Sequence, residues 1–208
     1  FFYQGIKTVL TIHNLKYQGI FPKSILTELL DLSEKYFTFE KLEFYNNVNI
    51  LKGGIVYSDF LTTVSPTYAN EILDPFYGER LDGLLRFYRY KLKGIINGID
   101  YKEYNPHQDR FIYENYDVEN IDKKNCNKTA LQKQLGLKVS NEIPLVAIVS
   151  RLVAQKGLDL VECVLGDLLK RNMQLVVLGT GEKRYEKSFQ EIARLYPEKV
   201  SANICFDE

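Results

Sequence analysis

Apolar and polar positions along the chain follow two periods, and the switches between them mark out the elements. Lys7-Thr8-Val9-Leu10-Thr11-Ile12 reads as a strand that runs into a polar loop, His13-Asn14-Leu15-Lys16-Tyr17-Gln18-Gly19. Residues 24–32 predict a short helix. Ile50-Leu51-Lys52-Gly53-Gly54-Ile55-Val56-Tyr57 keeps helical spacing despite its glycine pair, which stands for a kink or for a close approach to a neighbouring domain. Phe60-Leu61-Thr62-Thr63-Val64 predicts a second strand. Ser65-Pro66 then supplies an N-cap and a first-turn proline for a helix over 67–73. Residues 91–96 predict a third strand, ended by the turn signal Asn97-Gly98.

The second half alternates more regularly. Residues 101–118 are polar and Tyr-rich without a clear period, and they predict the connection between two domains, 1–105 and 106–208. A helix over 120–135 is expected to stop at Gly136. Pro144-Leu145-Val146-Ala147-Ile148-Val149 reads as a buried parallel strand. A helix from about residue 157, a strand Gln174-Leu175-Val176-Val177-Leu178 and a helix over 185–196 follow. Asn203-Ile204-Cys205-Phe206 looks like the start of one more strand. Strands too apolar to face water, alternating with helices, predict a doubly wound parallel sheet, and the first half is a looser version of that pattern. The expected fold class is α/β.

Composition narrows the function classes. At 208 residues and 45% hydrophobic content the chain has a core for one large or two small domains. Lys plus Arg and Asp plus Glu balance at 27 each, which argues against a generic nucleic-acid or membrane-surface binder while leaving room for a local basic pocket. Cys126, Cys163 and Cys205 are too widely spaced for a disulfide framework, so a reducing, cytoplasmic location is expected. Cys163 is expected in the core, on an apolar helix face. No apolar run reaches membrane-span length, and Phe1-Phe2-Tyr3-Gln4 does not read as a signal peptide. A start without Met and an end just after an apolar run are expected of a piece of a longer protein.

Candidate chemistry gathers at strand ends. Arg151 and Lys156, in Ser150-Arg151-Leu152-Val153-Ala154-Gln155-Lys156-Gly157, sit on a strand-to-helix turn above the carboxyl edge of a sheet, where ligands of open α/β sheets bind. A guanidinium fork and an ammonium beside a helix N-terminus make a diphosphate clamp, or they are solvated charges on a loop. Gly179 and Gly181 close the next strand, either for a close approach to phosphate or ribose or for a tight turn alone. Arg184 stands where the dinucleotide fingerprint would have its third glycine. His13 and Asn14 end a strand, where an imidazole and an amide can meet sugar hydroxyls or simply cap it. Asn97 belongs to a turn signal, and His107 is expected at the surface. No metal-ligand spacing, nucleophile elbow or Walker loop appears.

Taken together, these segments resemble bacterial glycogen synthase, the family shared with plant starch synthases. The stretches that carry the resemblance are Thr11-Ile12-His13-Asn14-Leu15-Lys16-Tyr17-Gln18-Gly19-Ile20-Phe21-Pro22, Leu51-Lys52-Gly53-Gly54-Ile55-Val56-Tyr57-Ser58-Asp59, Thr62-Thr63-Val64-Ser65-Pro66-Thr67-Tyr68-Ala69, Gly94-Ile95-Ile96-Asn97-Gly98-Ile99-Asp100, residues 150–159, and Leu178-Gly179-Thr180-Gly181. The resemblance implies a GT-B architecture of two Rossmann-like domains, both incomplete in this chain. Residues 1–105 would be the end of the acceptor and catalytic domain, and 106–208 the start of the nucleotide-sugar domain. It implies transfer of glucose from ADP-glucose to the non-reducing end of an α-1,4-glucan (glycogen), with retention of configuration. Arg151 and Lys156 match the residues that hold the diphosphate, His13 and Asn14 the loop at the glucose site, Asn97 an asparagine near the donor, and Gly179 and Gly181 a loop near the nucleotide. No divalent ion or other cofactor is needed where two cations neutralise the diphosphate. The preference for ADP over UDP comes from the resemblance alone. The family's Lys-x-Gly-Gly and Glu-x-x-Gly motifs fall outside these residues, so an isolated piece is expected to be inactive. Arg80 stands where relatives usually have glycine. Two other readings are a different GT-B nucleotide-sugar transferase with another acceptor, and a non-catalytic glucan-binding protein.

Overall fold

The computed structural model describes residues 5–206, and Phe1-Phe2-Tyr3-Gln4, with the signal-peptide reading made of it, lies outside them. The chain divides into two compact units, Phe1–Ile99 and Asp100–Glu208. In the first, the order is β1 (Val9–Ile12), β2 (Ile20–Pro22), α1 (Ile25–Glu28), β3 (Glu43–Phe44), β4 (Asn47–Asn49), α2 (Ile50–Tyr57), β5 (Phe60–Thr63), α3 (Pro66–Glu71), α4 (Asp82–Phe87) and β6 (Leu92–Gly94). Strands β1, β5 and β6 form a parallel sheet in that order. Its core joins Ile12 and Leu61 to Ile55 of α2, Ile72 beyond α3 and Leu85 of α4. Asp59 anchors the entry to β1, accepting the N–H and hydroxyl of Thr8 and the ammonium of Lys7. Those bonds, the Thr8 N–H foremost, hold its carboxyl down to about 2.

Ser65 caps α3 as its sequence predicts, accepting the N–H of Tyr68 at 2.9 Å, with Pro66 in the first turn. The Gly53-Gly54 pair allows close packing inside the unit: a Cβ at either glycine would press on Leu42 or Leu10. Four features differ from expectation. The helix over 24–32 shrinks to α1, because Asp31 turns left-handed (φ 48°) and the Leu32 N–H closes back on the Leu26 carbonyl. Helix α4 and the antiparallel sheet β2-β4-β3 were not expected, the sheet because strands of two or three residues show no period. Its tight turn, Tyr45-Asn46, has both residues at positive φ, as a two-residue hairpin requires. Finally, Asn97-Gly98 is not a turn. After β6 the chain has neither turn nor bend through residue 100, with the Ile95 N–H on the Thr63 carbonyl, and the first turn begins at Asp100, whose carboxylate accepts the Lys102 N–H.

The second unit runs α5 (Lys124–Gln134), β7 (Leu145–Val149), α6 (Leu158–Lys170), β8 (Gln174–Leu178), α7 (Lys183–Leu195) and β9 (Val200–Asn203). The three strands form a parallel sheet in the order β7-β8-β9. Leu158 and Leu165 of α6 and Tyr185 and Phe189 of α7 bury against Leu175 and Val177 of β8. Gly136 ends the helix before it at φ 69°, as expected. Strand β7 is parallel but not buried: it lies at an edge of this sheet, and Val146 and Val149 are 44% and 71% exposed. The strand expected at 203–206 lies earlier, because register with β8 begins at Val200 and ends at Asn203 opposite Leu178. Cys163 is exposed, about 140° around α6 from the buried Leu158. Among the described residues, no helix is long and apolar enough to cross a membrane.

Candidate functional site

The candidate residues fall into two groups, one in each unit, and each group lies at the carboxyl edge of its own parallel sheet. In the first unit the loop from His13 leaves β1 just after Ile12, whose carbonyl accepts the Thr63 hydroxyl at 2.7 Å. His13 is exposed and Asn14 is half-buried. The Asn14 side chain accepts the Lys16 N–H at 3.0 Å, which fixes the turn, and the Leu15 N–H bonds to the Tyr68 hydroxyl at 3.2 Å. Asn97 follows β6 on the same edge, separated from the His13 loop by β5, and is exposed.

In the second unit the structure brings Arg151, Gly179 and Gly181 together. The loops after β7 and β8 are zipped by backbone bonds: Ser150 N–H to Leu178, Leu152 N–H to Thr180, and Glu182 N–H back to Leu152. Both glycines are required for this contact. A Cβ at Gly179 (φ 147°) would overlap the Ser150 carbonyl, and one at Gly181 would overlap that of Leu152. Lys156 closes a 3-10 turn, Ala154–Lys156, and the left-handed Gly157 (φ 71°) then caps α6. Arg151 and Lys156 are both exposed, five positions apart along a turn that ends at a helix N-terminus. Arg184 takes no part in this loop. It pairs with Glu162 of α6 at 2.7 Å, and that guanidinium holds the Glu162 carboxyl below its usual range.

Several participants were not legible beforehand. The carboxylate of Glu186 accepts the Gly181 N–H at 2.8 Å, and that of Glu182 reaches the Ala154 N–H at 3.4 Å, so acidic side chains lie among the loop amides. Within the His13 loop Gln18 is buried, and it is bonded to the buried Asn49. Asn49 stands directly before an apolar helical run, which is an N-cap signal, whereas nothing local marks Gln18 for burial. A cavity of about 790 Å³ in the first unit includes Phe39, Tyr45, Lys52, Arg80 and Tyr88 in its wall, and one of about 1010 Å³ in the second includes Phe111, Tyr113, Leu131 and Val139. Neither contains a candidate residue. Burial pushes the Lys52 ammonium down, although it donates to the Phe39 and Glu43 carbonyls. Among the described residues no group of His, Cys, Asp or Glu is placed to hold a metal ion.

The family model for the starch synthase catalytic domain matches residues 1–87. A glycogen synthase of Clostridium acetobutylicum is 57% identical over 202 residues, which are 97% of this chain and 42% of that protein. A glycogen synthase of Geobacillus stearothermophilus is 53% identical over 207 residues, 100% of this chain and 43% of its own length. Among solved structures, the catalytic domain of starch synthase IV from Arabidopsis thaliana, bound to ADP and acarbose, is similar at a TM-score of 0.89 and 32% identity. That match covers 97% of this chain and 42% of the Arabidopsis chain. The chain thus spans less than half the length of each of these relatives. The α/β fold with Rossmann-like units of the GT-B kind agrees with the expected class.

Proposed function

The chain belongs to the glycogen and starch synthase family, and on that premise we propose that it is part of a cytoplasmic glycosyltransferase that moves glucose from ADP-glucose to the non-reducing end of an α-1,4-glucan, with retention of configuration. The observation that carries this reading is the second unit's loop pair. Arg151 stands beside the glycine-enabled backbone packing at Gly179 and Gly181 at a sheet's carboxyl edge, and Lys156, a second cation, closes the turn that follows it. A diphosphate suits that arrangement, and the Arabidopsis relative is bound to ADP. The residues beyond 105 would then belong to the nucleotide-sugar domain, and those before 106 to the acceptor and catalytic domain.

The chemistry follows from charge. As ADP departs, negative charge builds on the β-phosphate oxygen, and fixed cations stabilise it more in the transition state than in the ground state. Arg151 offers a planar fork and Lys156 a point charge, so together they replace a divalent ion. In the first unit, His13, Asn14 and Asn97 are the groups proposed to orient the transferred glucose, through an imidazole, amides and the loop backbone.

The test supplies labelled ADP-glucose and UDP-glucose in parallel to the full-length protein, with glycogen as acceptor. Incorporation is expected from ADP-glucose, falling by about 10²-fold or more in Arg151→Ala and in Lys156→Ala. Anomeric analysis of the new linkage is expected to give α. Binding of glycogen with no incorporation from either donor would replace this proposal with the glucan-binding one.

A further inference from the structure

The loop bearing His13 and Asn14 is fastened near its end by two amide side chains, Gln18 of the loop itself and Asn49 at the start of α2. Gln18 is 7% exposed and Asn49 0%. The Asn49 Nδ2 donates to Gln18 Oε1 at 2.6 Å, and Gln18 Nε2 donates to the Glu79 carbonyl at 2.9 Å. Asn49 Oδ1 accepts the Lys52 N–H at 2.8 Å, which caps α2. The loop backbone takes up the neighbouring donors, with Ile50 N–H on the Gly19 carbonyl and Leu51 N–H on that of Gln18. The first N–H groups of a helix have no partner within it, and here they fasten the loop.

Two features indicate more than a helix cap. Capping uses only the Oδ1 of Asn49, yet its amide donor is directed into the loop at short range. The far end of the chain of bonds is Glu79, which with Arg80 forms a left-handed pair at φ 48° and 66°. Residues bearing a Cβ take that conformation at a cost and keep it only where the surroundings fix it. The Gln18 amide is one of those fixings. One side-chain relay therefore joins the α2 N-terminus, the His13 loop and the turn that carries Arg80 into the wall of the first unit's cavity.

We infer that Gln18 and Asn49 are a positioning pair that sets the His13–Asn14 loop for transfer and couples it to the Glu79–Arg80 turn. Neither residue touches the sugar in this assignment. The kinetic consequence rests on the glycosyl-transfer reading above, whereas the geometric one does not. Asn49→Asp keeps the size and the cap acceptor but removes the donor, placing a carboxylate oxygen against Gln18 Oε1. Gln18→Met keeps the volume, removes both loop bonds and leaves the cap intact.

The experiment uses the full-length protein. Each variant is expected to lower kcat by about tenfold or more, with ADP affinity unchanged, since the proposed nucleotide site lies in the other unit. The double variant should lose little beyond either single one, because both remove the same relay. Independently of turnover, the ring resonances of His13, assigned with His13→Gln, should shift in both variants. Wild-type kcat in Gln18→Met, or losses that simply add in the double variant, would overturn the assignment. So would a loss of ADP affinity in step with kcat and melting temperature, which is the mark of general damage. If the unmodified protein transfers no glucose, the parent reading fails instead. The His13 resonances then decide this one, a shift supporting it and unchanged signals refuting it.

Discussion

At the scale of single residues, the clearest dependence on solution conditions belongs to Asp59. Its folded pKa of about 2 lies below the ordinary 3.8, since its charged form is bonded by Thr8 and Lys7. A depressed carboxyl contributes stability above its unfolded pKa and loses it as pH falls through the folded one. Asp59→Asn should therefore be less stable than the parent at pH 7 in urea unfolding, with the gap closing from about pH 4 down to about pH 2. A gap unchanged at the acid end would assign the loss to packing instead. Residue-level reading of the sequence placed Arg151, Lys156, Gly179 and Gly181 on the correct turns, because those turns are fixed by local strand-to-helix pattern. It misplaced Cys163, since α6 is apolar around most of its circumference and composition alone does not say which side meets the sheet. It also had no means of finding Gln18 and Asn49 as a pair, because residues 31 positions apart meet only through folding.

Among the elements, α3 carries a side-chain cap at its N-terminus in Ser65. Ser65→Ala removes the acceptor for the Tyr68 N–H and should cost about 1 kcal/mol, read as a lower unfolding midpoint. Tyr68 also bonds the Leu15 N–H, so hydrogen exchange at Leu15 should quicken in the same variant. Unchanged exchange there would mean that the tether does not depend on the cap. The longer elements were legible because each holds one period for several residues, as α5, α6, α7 and β8 do. The small antiparallel sheet, α1's early stop and the Asn97-Gly98 segment were not. Each is settled by hydrogen bonds to another part of the chain or by a left-handed residue, and neither leaves a periodic trace.

For the molecule as a whole, the division at Ile99/Asp100 makes a proteolytic prediction. Tyr101 and Tyr104 are 81% and 69% exposed, on a stretch without helix or strand that runs from 95 to 120. Limited chymotrypsin should cut there first and leave two resistant products, identified by intact mass. First cuts inside α2 or β8 would contradict two compact units. At this scale, too, lies the separation of the candidate residues, with Arg151, Lys156, Gly179 and Gly181 in one unit and His13, Asn14 and Asn97 in the other.

The sequence by itself determined the α/β class, the order of the main strands and helices, and the place of His13, Asn14, Arg151, Lys156, Gly179 and Gly181 on segments that follow parallel strands; Asn97 also follows its strand, but not in the turn expected of it. These are local properties, encoded in periods of two and 3.6 residues and in cap and glycine signals within a few positions. The tertiary structure alone decided that the loops after β7 and β8 pack backbone to backbone, that β7 is a half-exposed edge, that Cys163 faces outward and that a buried amide pair supports the His13 loop. Burial and long-range hydrogen bonding depend on which surfaces meet, and that is fixed only when distant segments come together.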